Sequence, residues 1–138
     1  QSNKYKFHQH TNNKNFINII CIIEDIMSEY LITENREQLA RKAMYEALKN
    51  QQAEDSVELF IQHHLEEVEA EYWQKHFGTN KPTTEQVLNF LVLNQQGEGE
   101  ELENYDVLDF TLPEDITDYV ISISFNHQGQ VVDISMES

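Results

Sequence analysis

The last third of the chain contains three short segments with the residue patterns of strands, and these patterns constrain it to antiparallel strands. Tyr105–Leu112 alternates with period two, as side chains do along a strand. Tyr119–Phe125 is rich in β-branched and aromatic residues, and Val131–Met136 follows it after the turn Asn126–Gly129. Because turns this short join antiparallel neighbours, the sequence predicts a C-terminal antiparallel β-meander.

The N-terminal residues 4–26 are predicted to form a β-hairpin. Lys4–His10 alternates polar and aromatic residues, residues 11–15 are rich in turn formers, and Phe16–Ile23 is a nearly continuous β-branched run. Such a run is typical of a strand that is covered on both faces. Cys21 lies in it, so we expect a buried, unreactive thiol. A single cysteine rules out an internal disulfide, which favours a cytoplasmic location.

Helical spacing of apolar residues indicates about three helices between the hairpin and the meander. They are expected to begin at Thr33, at about Asp55 and at Pro82. The second should run to His76 and close at Gly78, since glycine adopts the left-handed conformation of a helix C-cap without strain. The fold class predicted is therefore α+β.

Two further segments complete the predicted organisation. Asn94–Asn104 is rich in Gln, Gly and Glu and has no apolar anchor before Leu102, so we expect a solvated loop. Residues 1–3, Gln-Ser-Asn, are typical of a tag remnant that cleavage leaves behind. Residues 4–138 are then predicted to form a single α+β domain.

The chain is strongly acidic, and its charge is unevenly distributed. The formal net charge is −16, and residues 82–138 carry twelve Asp or Glu and no Lys or Arg. A field of one sign repels nucleic acid and anionic membranes, and it attracts basic proteins over about 8–10 Å at physiological salt. We therefore expect a basic protein partner, and neither a nucleic acid nor a membrane.

Three motifs stand out in the C-terminal block. They are Asp109-Phe110-Thr111 followed by Asp115–Tyr119, the turn Asn126–Gly129, and the terminal Ser135–Ser138. Together they resemble a family of small acidic bacterial proteins classified only as a domain of unknown function, and the likeness covers about residues 55–138. The resemblance implies a bacterial protein without an assigned activity. Similar size and charge suggest, by analogy, an immunity protein that neutralises a toxin.

His63, His64 and Glu67 form one candidate site. On a helix, Glu67 lies one turn from either histidine, and an imidazole with a carboxylate at that spacing can bind zinc. However, adjacent histidines point about 100° apart on a helix, and no third ligand is evident nearby. We therefore expect His64 at the edge of the core, His63 in solvent, and no metal or cofactor. The alternative is a metal-binding protein or a metal-dependent hydrolase.

The second candidate is a group of carboxylates around Pro113. Its members are Asp106, Asp109, Glu114, Asp115 and Asp118. Their spacing matches no calcium-binding loop, so a structural turn or an acidic docking face is the better interpretation.

The sequence contains neither a nucleophile elbow nor a glycine-rich phosphate loop, so no enzyme is predicted. The leading hypothesis is a non-catalytic interaction module of immunity-protein type that binds a basic partner, such as a toxin, through those five acids. A homodimer that uses a sheet edge or the second helix is a third interpretation.

Overall fold

A computed structural model describes the backbone of residues 2–94 and 106–138 and the side chains of residues 14–94 and 106–138. Within these ranges the chain is α+β, with four helices followed by a four-stranded antiparallel sheet. The helices are α1 (Ser2–Lys49), α2 (Val57–Glu67), α3 (Ala70–Phe77) and α4 (Thr84–Phe90). The strands are β1 (Val92–Leu93), β2 (Val107–Thr111), β3 (Val120–Phe125) and β4 (Val131–Glu137). The predicted loop Asn94–Asn104 lies, apart from Asn94, outside the described residues.

The predicted N-terminal β-hairpin over residues 4–26 is wrong, because α1 covers these residues as helix. The first 77 residues contain neither glycine nor proline, so neither of the two strongest helix-breaking residues lies within α1. β-Branched residues such as those of Phe16–Ile23 disfavour a helix by only a few tenths of a kcal/mol each, about 0.5 kcal/mol or less. A short apolar run fits either structure. The expectation of a buried Cys21 is wrong for the same reason, since the thiol is exposed.

The chain divides into two compact units, Gln1–Asn35 and Arg36–Ser138. The first unit consists of the N-terminal part of α1. The second unit contains the C-terminal part of α1, the other helices and the sheet. None of the described helices combines the length and the apolar content that crossing a bilayer requires. The single domain over residues 4–138 and the tag over residues 1–3 stay predictions.

The helix predicted over Asp55–His76 is two helices, with a break at Val68 and Glu69. Both residues have extended ψ values, 139° and 141°. Val68 is part of the apolar packing around the core, so tertiary packing decides this break in a stretch without glycine or proline. The predicted closure at Gly78 is confirmed, since this residue is the C-cap of α3 with φ 70°.

Two local side-chain hydrogen bonds stabilise the N-terminus of α4. The Thr83 hydroxyl accepts a hydrogen bond from the Gln86 backbone N–H (3.1 Å), and the Gln86 side chain accepts one from the Thr83 N–H (2.8 Å). This is a complete capping box, which satisfies two of the backbone donors that a helix start leaves free.

The C-terminal meander is confirmed, and the sheet order is β1-β2-β3-β4 with every pair antiparallel. The short strand β1 was not predicted, because two residues cannot show a period. In β3, Ile121, Ile123 and Phe125 are buried while Ser122 and Ser124 are only half-buried. The turn after β3 has the expected glycine in the left-handed region, with φ 76° at Gly129.

One buried face of the sheet packs with the helices of the second unit. The core cluster joins α1, α2, α3, α4 and the strands through large side chains: Met44, Phe60, Ile61, Trp73, Leu88, Phe110, Ile121 and Ile123. Two cations cover the sheet from α1, since the guanidinium of Arg36 lies 5.5 Å from the Phe125 ring centre and that of Arg41 lies 5.0 Å from Phe110.

Replacing Ile123 by alanine should lower the free energy of unfolding by about 2–4 kcal/mol, because it removes a fully buried side chain and leaves a cavity. The neighbouring change Ser124→Ala should cost less than half as much, since Ser124 lies on the opposite, half-buried face. Chemical denaturation of both variants measures the difference. A larger loss in Ser124→Ala would contradict the assignment of the core face.

Replacing Gly129 by valine should cost about 1–2 kcal/mol through backbone strain, since a β-branched residue is disfavoured at φ 76°. An added Cβ would meet no atom within 4 Å, so the cost comes from the backbone and not from a clash. Gly129→Asn is the matched control and should lose less than half of that amount, because asparagine tolerates the left-handed region. Equal losses in the two variants would show that backbone conformation is not the cause.

Candidate functional site

The connection between β2 and β3, residues 112–119, makes a sharp turn immediately after Pro113. Glu114 and Asp115 both have positive φ, at 72° and 53°. Side chains other than glycine reach this region only at an energetic cost, so neighbouring contacts must hold the turn.

Helix α3 supplies one set of these contacts. The Tyr72 hydroxyl donates a hydrogen bond to the Pro113 carbonyl (2.9 Å), and the Lys75 ammonium donates one to Glu114 Oε1 (3.0 Å). His76 Nε2 also lies 3.0 Å from that oxygen, at an ion-pair distance but outside hydrogen-bond geometry. The bond from Lys75 lowers the pKa of Glu114, and burial raises the pKa of Tyr72 to about 12, so Tyr72 remains a donor.

Helix α2 supplies the second contact through His64, of which 2% is exposed. Its Nδ1 lies 2.6 Å from the Phe60 carbonyl and its Nε2 lies 2.8 Å from the Thr117 hydroxyl. A carbonyl can only accept, so Nδ1–H donates to Phe60 and, in the neutral ring, the Thr117 hydroxyl donates to Nε2. The Thr117 oxygen in turn accepts from the Tyr119 backbone N–H (3.2 Å). Each polar group in this series of hydrogen bonds therefore has a partner.

Burial lowers the pKa of His64, because an imidazolium is poorly solvated at this position. The hydrogen bond to the Phe60 carbonyl acts in the opposite direction, and the nearby His63 lowers the pKa further. The neutral ring is therefore the form that the fold favours, in agreement with the hydrogen bond from Thr117.

The three residues of the first candidate site have different surroundings. The expectation that His64 lies at the edge of the core is confirmed. The expectation that His63 lies in solvent is wrong, since its ring is half-buried and packs edge-on against the rings of His64 and Tyr119, with ring centres 5.1 and 5.2 Å apart. Glu67 is exposed and lines a groove with both histidines.

A metal site at this position would require a rearrangement, since both ring nitrogens of His64 are engaged. Over residues 14–94 and 106–138, no three or more His, Cys, Asp or Glu side chains are grouped so that they could hold a metal ion. The metal-binding alternative stays a prediction, and it would break the bond between Thr117 and His64.

The five acids of the second candidate site do not share one environment. Asp109 is half-buried on β2 and accepts a hydrogen bond from the Ser122 hydroxyl (2.6 Å). Asp106 is exposed just before β2, and Glu114 is paired with Lys75. Asp115 and Asp118 are exposed, and no ion pair within the described ranges involves either of them.

Two shallow grooves meet at His63 and Tyr119. The first, of about 350 Å³, is lined by Asp55, Leu59, His63, Tyr119, Met136, Glu137 and Ser138. The second, of about 200 Å³, is lined by His63, His64, Glu67, Val68, Glu69, Ile116, Thr117 and Tyr119. We call the combined lining of the two grooves the Tyr119 face. It contains exposed apolar groups and, at Asp55, Glu67, Glu69 and Glu137, carboxylates.

The sequence did not predict the Tyr119 face. Strict alternation with Ile121 and Ile123 would place Tyr119 on the core side, but β3 begins at Val120 and leaves Tyr119 37% exposed. The carboxylates of the face come from segments far apart in the chain, so no local pattern connects them. Comparison with known proteins found no matching family model, curated protein or solved structure.

The stability of the fold should fall when the pH drops below about 6.5, in part because of His64. The unfolded chain binds a proton there with the ordinary pKa of 6.5, whereas the folded chain binds it only at lower pH. Acid therefore favours unfolding, and the contribution of the neutral ring is complete above 6.5 and is lost as the pH falls through the lowered pKa. One proton gives a slope of at most about 1.4 kcal/mol per pH unit.

The measurement is denaturant unfolding across this pH range in the parent chain and in His64→Gln, which removes the titrating group. The parent should lose more stability on acidification than the variant does. Val57→Ala, a cavity change on the same helix, is the control for general destabilisation and should keep the parent's pH slope. Parallel pH profiles for the parent and His64→Gln would show that His64 has no part in the acid sensitivity.

Proposed function

We propose that the chain is a non-catalytic protein-interaction module of immunity-protein type, which binds a basic protein through the Tyr119 face. The observation that carries this proposal is the position of Tyr119, an exposed aromatic side chain between two grooves with carboxylates in their lining. Aromatic side chains are enriched among the residues that dominate binding energy at protein interfaces.

The chemistry of the face indicates the class of partner. Leu59, Ile116 and Tyr119 offer exposed apolar surface. Asp115 and Asp118 lie in the same connection as Tyr119 and have no described ion pair that would compete with a partner. Lysine or arginine side chains fit such a surface, since they pair with carboxylates and also pack over aromatic rings.

The connection that carries Tyr119 is held in place before any partner arrives. Tyr72, Lys75 and His64 contact it from two different helices. A surface that is already ordered loses little conformational entropy on binding, so more of the contact energy remains as affinity. This supports a docking role for the exposed acids beyond that of a solvated turn.

The surroundings of His64 support a non-catalytic role. A general base needs a free lone pair within reach of the substrate, and the Nε2 lone pair of His64 already accepts from Thr117. The ring is also 2% exposed, which leaves little room for a substrate to approach it.

The partner can be identified by affinity capture with the full chain as bait. A second bait, Glu67→Lys, changes one exposed charge that lines the second groove of the Tyr119 face. A third, Asp133→Lys, makes the same change at an exposed position of β4 that lines neither groove, and it is the matched control. The relevant partner is retained by the parent and by Asp133→Lys, and is depleted by Glu67→Lys. Equal depletion by both variants would indicate a general charge effect and would contradict the assignment of the face.

Association with that partner should slow at least about tenfold as salt rises from tens to hundreds of millimolar, because the steering field is screened. Glu67→Lys should reduce mainly the association rate, whereas Tyr119→Ala should mainly raise the dissociation rate, since it removes a short-range contact. Surface plasmon resonance separates the two rates. A partner with an acidic interface, or an association rate that is indifferent to salt, would contradict the proposal.

A further inference from the structure

The N-terminal unit exposes an unusually large amount of apolar surface. Eleven large apolar side chains of α1 between residues 16 and 32 are at least about one-third exposed, and Phe16 and Tyr30 are more than 60% exposed. A soluble chain rarely leaves a continuous apolar patch of several hundred Å² in water unless another surface covers it.

Seven of these side chains follow a heptad pattern. The steps from one member to the next are three, one and three residues, and this set of steps occurs twice. Such a spacing places all seven side chains on one side of a helix. We call this set the isoleucine stripe; it comprises Phe16, Ile19, Ile20, Ile23, Ile26, Met27 and Tyr30. The pattern is the one with which two helices pack against each other, knobs into holes.

The size of the isoleucine stripe fits a dimer interface. With about 150–250 Å² for a large side chain and the exposed fractions observed, the stripe offers on the order of 700 Å² per chain. A standard protein interface buries about 800 Å² per partner. Pairing of two stripes would therefore reach the range of a specific complex.

We propose that the isoleucine stripe packs against the same stripe of a second copy of this chain, with the two helices antiparallel. A homodimer with twofold symmetry requires a patch that complements itself, and an apolar heptad stripe does so. The inference does not use the Tyr119 face, so the two proposals stand or fall separately.

The direction of pairing follows from the charges. Residues 14–23 contain Lys14 and no acid, whereas residues 24–34 contain Glu24, Asp25, Glu29 and Glu34. A parallel pair would set four acids beside four others, and like charges at this distance repel. An antiparallel pair sets Glu29 and Glu34 of each helix beside the partner's residues 15–20, which contain no acid, and leaves only Glu24 and Asp25 close to the partner's acids. The same acids disfavour an anionic membrane as the occupant of the stripe.

The register follows from the rule that an a-position side chain packs with a d-position side chain in an antiparallel pair. The alignment that covers most of the stripe places Ile19 beside the partner's Tyr30, and Ile23 beside the partner's Ile26. These pairs of neighbouring residues can be tested by cross-linking.

The first experiment is sedimentation equilibrium of the full chain over a range of concentrations. The parent should form a dimer of two 16.3 kDa chains. Ile23→Glu should raise the dimer Kd at least about tenfold, because it places a carboxylate in the interface. Ile32→Glu is the matched control: it makes the same change at an exposed isoleucine on the opposite side of α1, and it should change Kd less than about threefold.

Because the two variants exchange the same residue types, a general loss of helix affects them alike, and the difference between them reports on the stripe. Circular dichroism of both variants checks this equivalence. The proposal would be overturned if the parent chain is monomeric at every concentration. This includes a chain that covers the stripe with its own residues and a chain that binds vesicles through the stripe. Equal weakening by Ile23→Glu and Ile32→Glu would overturn it as well.

The second experiment tests direction in a Cys21→Ser background, which removes the exposed native thiol. Ile19→Cys alone should not form a covalent dimer on mild oxidation, since its neighbour across the interface is the partner's Tyr30. The double variant Ile19→Cys with Tyr30→Cys should form one readily. Cross-linking of Ile19→Cys alone to the extent of the double variant would indicate parallel helices and would overturn the antiparallel arrangement.

Discussion

The hydrogen bond between Thr117 and the buried His64 is the contact on which the β2–β3 connection depends. The connection bends through two positive φ values, a conformation that its residues do not favour by themselves. Burial of His64 makes the bond obligatory, because an imidazole nitrogen without a partner at that depth would cost about 1–3 kcal/mol. The Thr117 oxygen also accepts from the Tyr119 N–H, so the same bond fixes the start of the exposed tyrosine. Loss of either partner would free the Thr117 end of the connection and the start of the tyrosine, and would leave Tyr72 and Lys75 as the contacts that hold the bend.

The parts of the fold that the sequence predicts are those in which local chemistry decides the structure. The Thr83 capping box, the C-cap at Gly78 and the turn at Gly129 each follow from one or two side chains and their backbone preferences. The three predicted strands follow from alternation, from β-branched and aromatic content, and from the short turn that joins the last two. The N-terminal hairpin failed because β-branched residues express a packing preference and not a backbone rule, and α1 leaves these side chains exposed instead of covered.

The candidate site was predictable only in part, for a related reason. That His64 lies at the edge of the core follows from the apolar spacing of α2, and an acidic connection around Pro113 is evident from composition. The pairing of Glu114 with Lys75 joins residues that are 39 positions apart, and the Tyr119 face combines α2, the β2–β3 connection and β4. Such contacts depend on how the helices pack against the sheet, which no local spacing records. Sequence reasoning therefore found the residue types but not their neighbours.

One proposed surface depends on electrostatic attraction and the other on apolar contact, so the two should respond differently to salt. Carboxylates surround the Tyr119 face, and salt screens their attraction for a basic partner. The isoleucine stripe is apolar, and the charges that flank it between residues 24 and 34 are all acidic, so salt screens repulsion there and leaves the apolar contact unchanged. Rising salt should thus weaken one association while it preserves or strengthens the other. A chain with a net charge of −16 gains most from a core and an interface that do not depend on charge. At low salt its acids attract a basic partner, but under the same conditions they also repel one another.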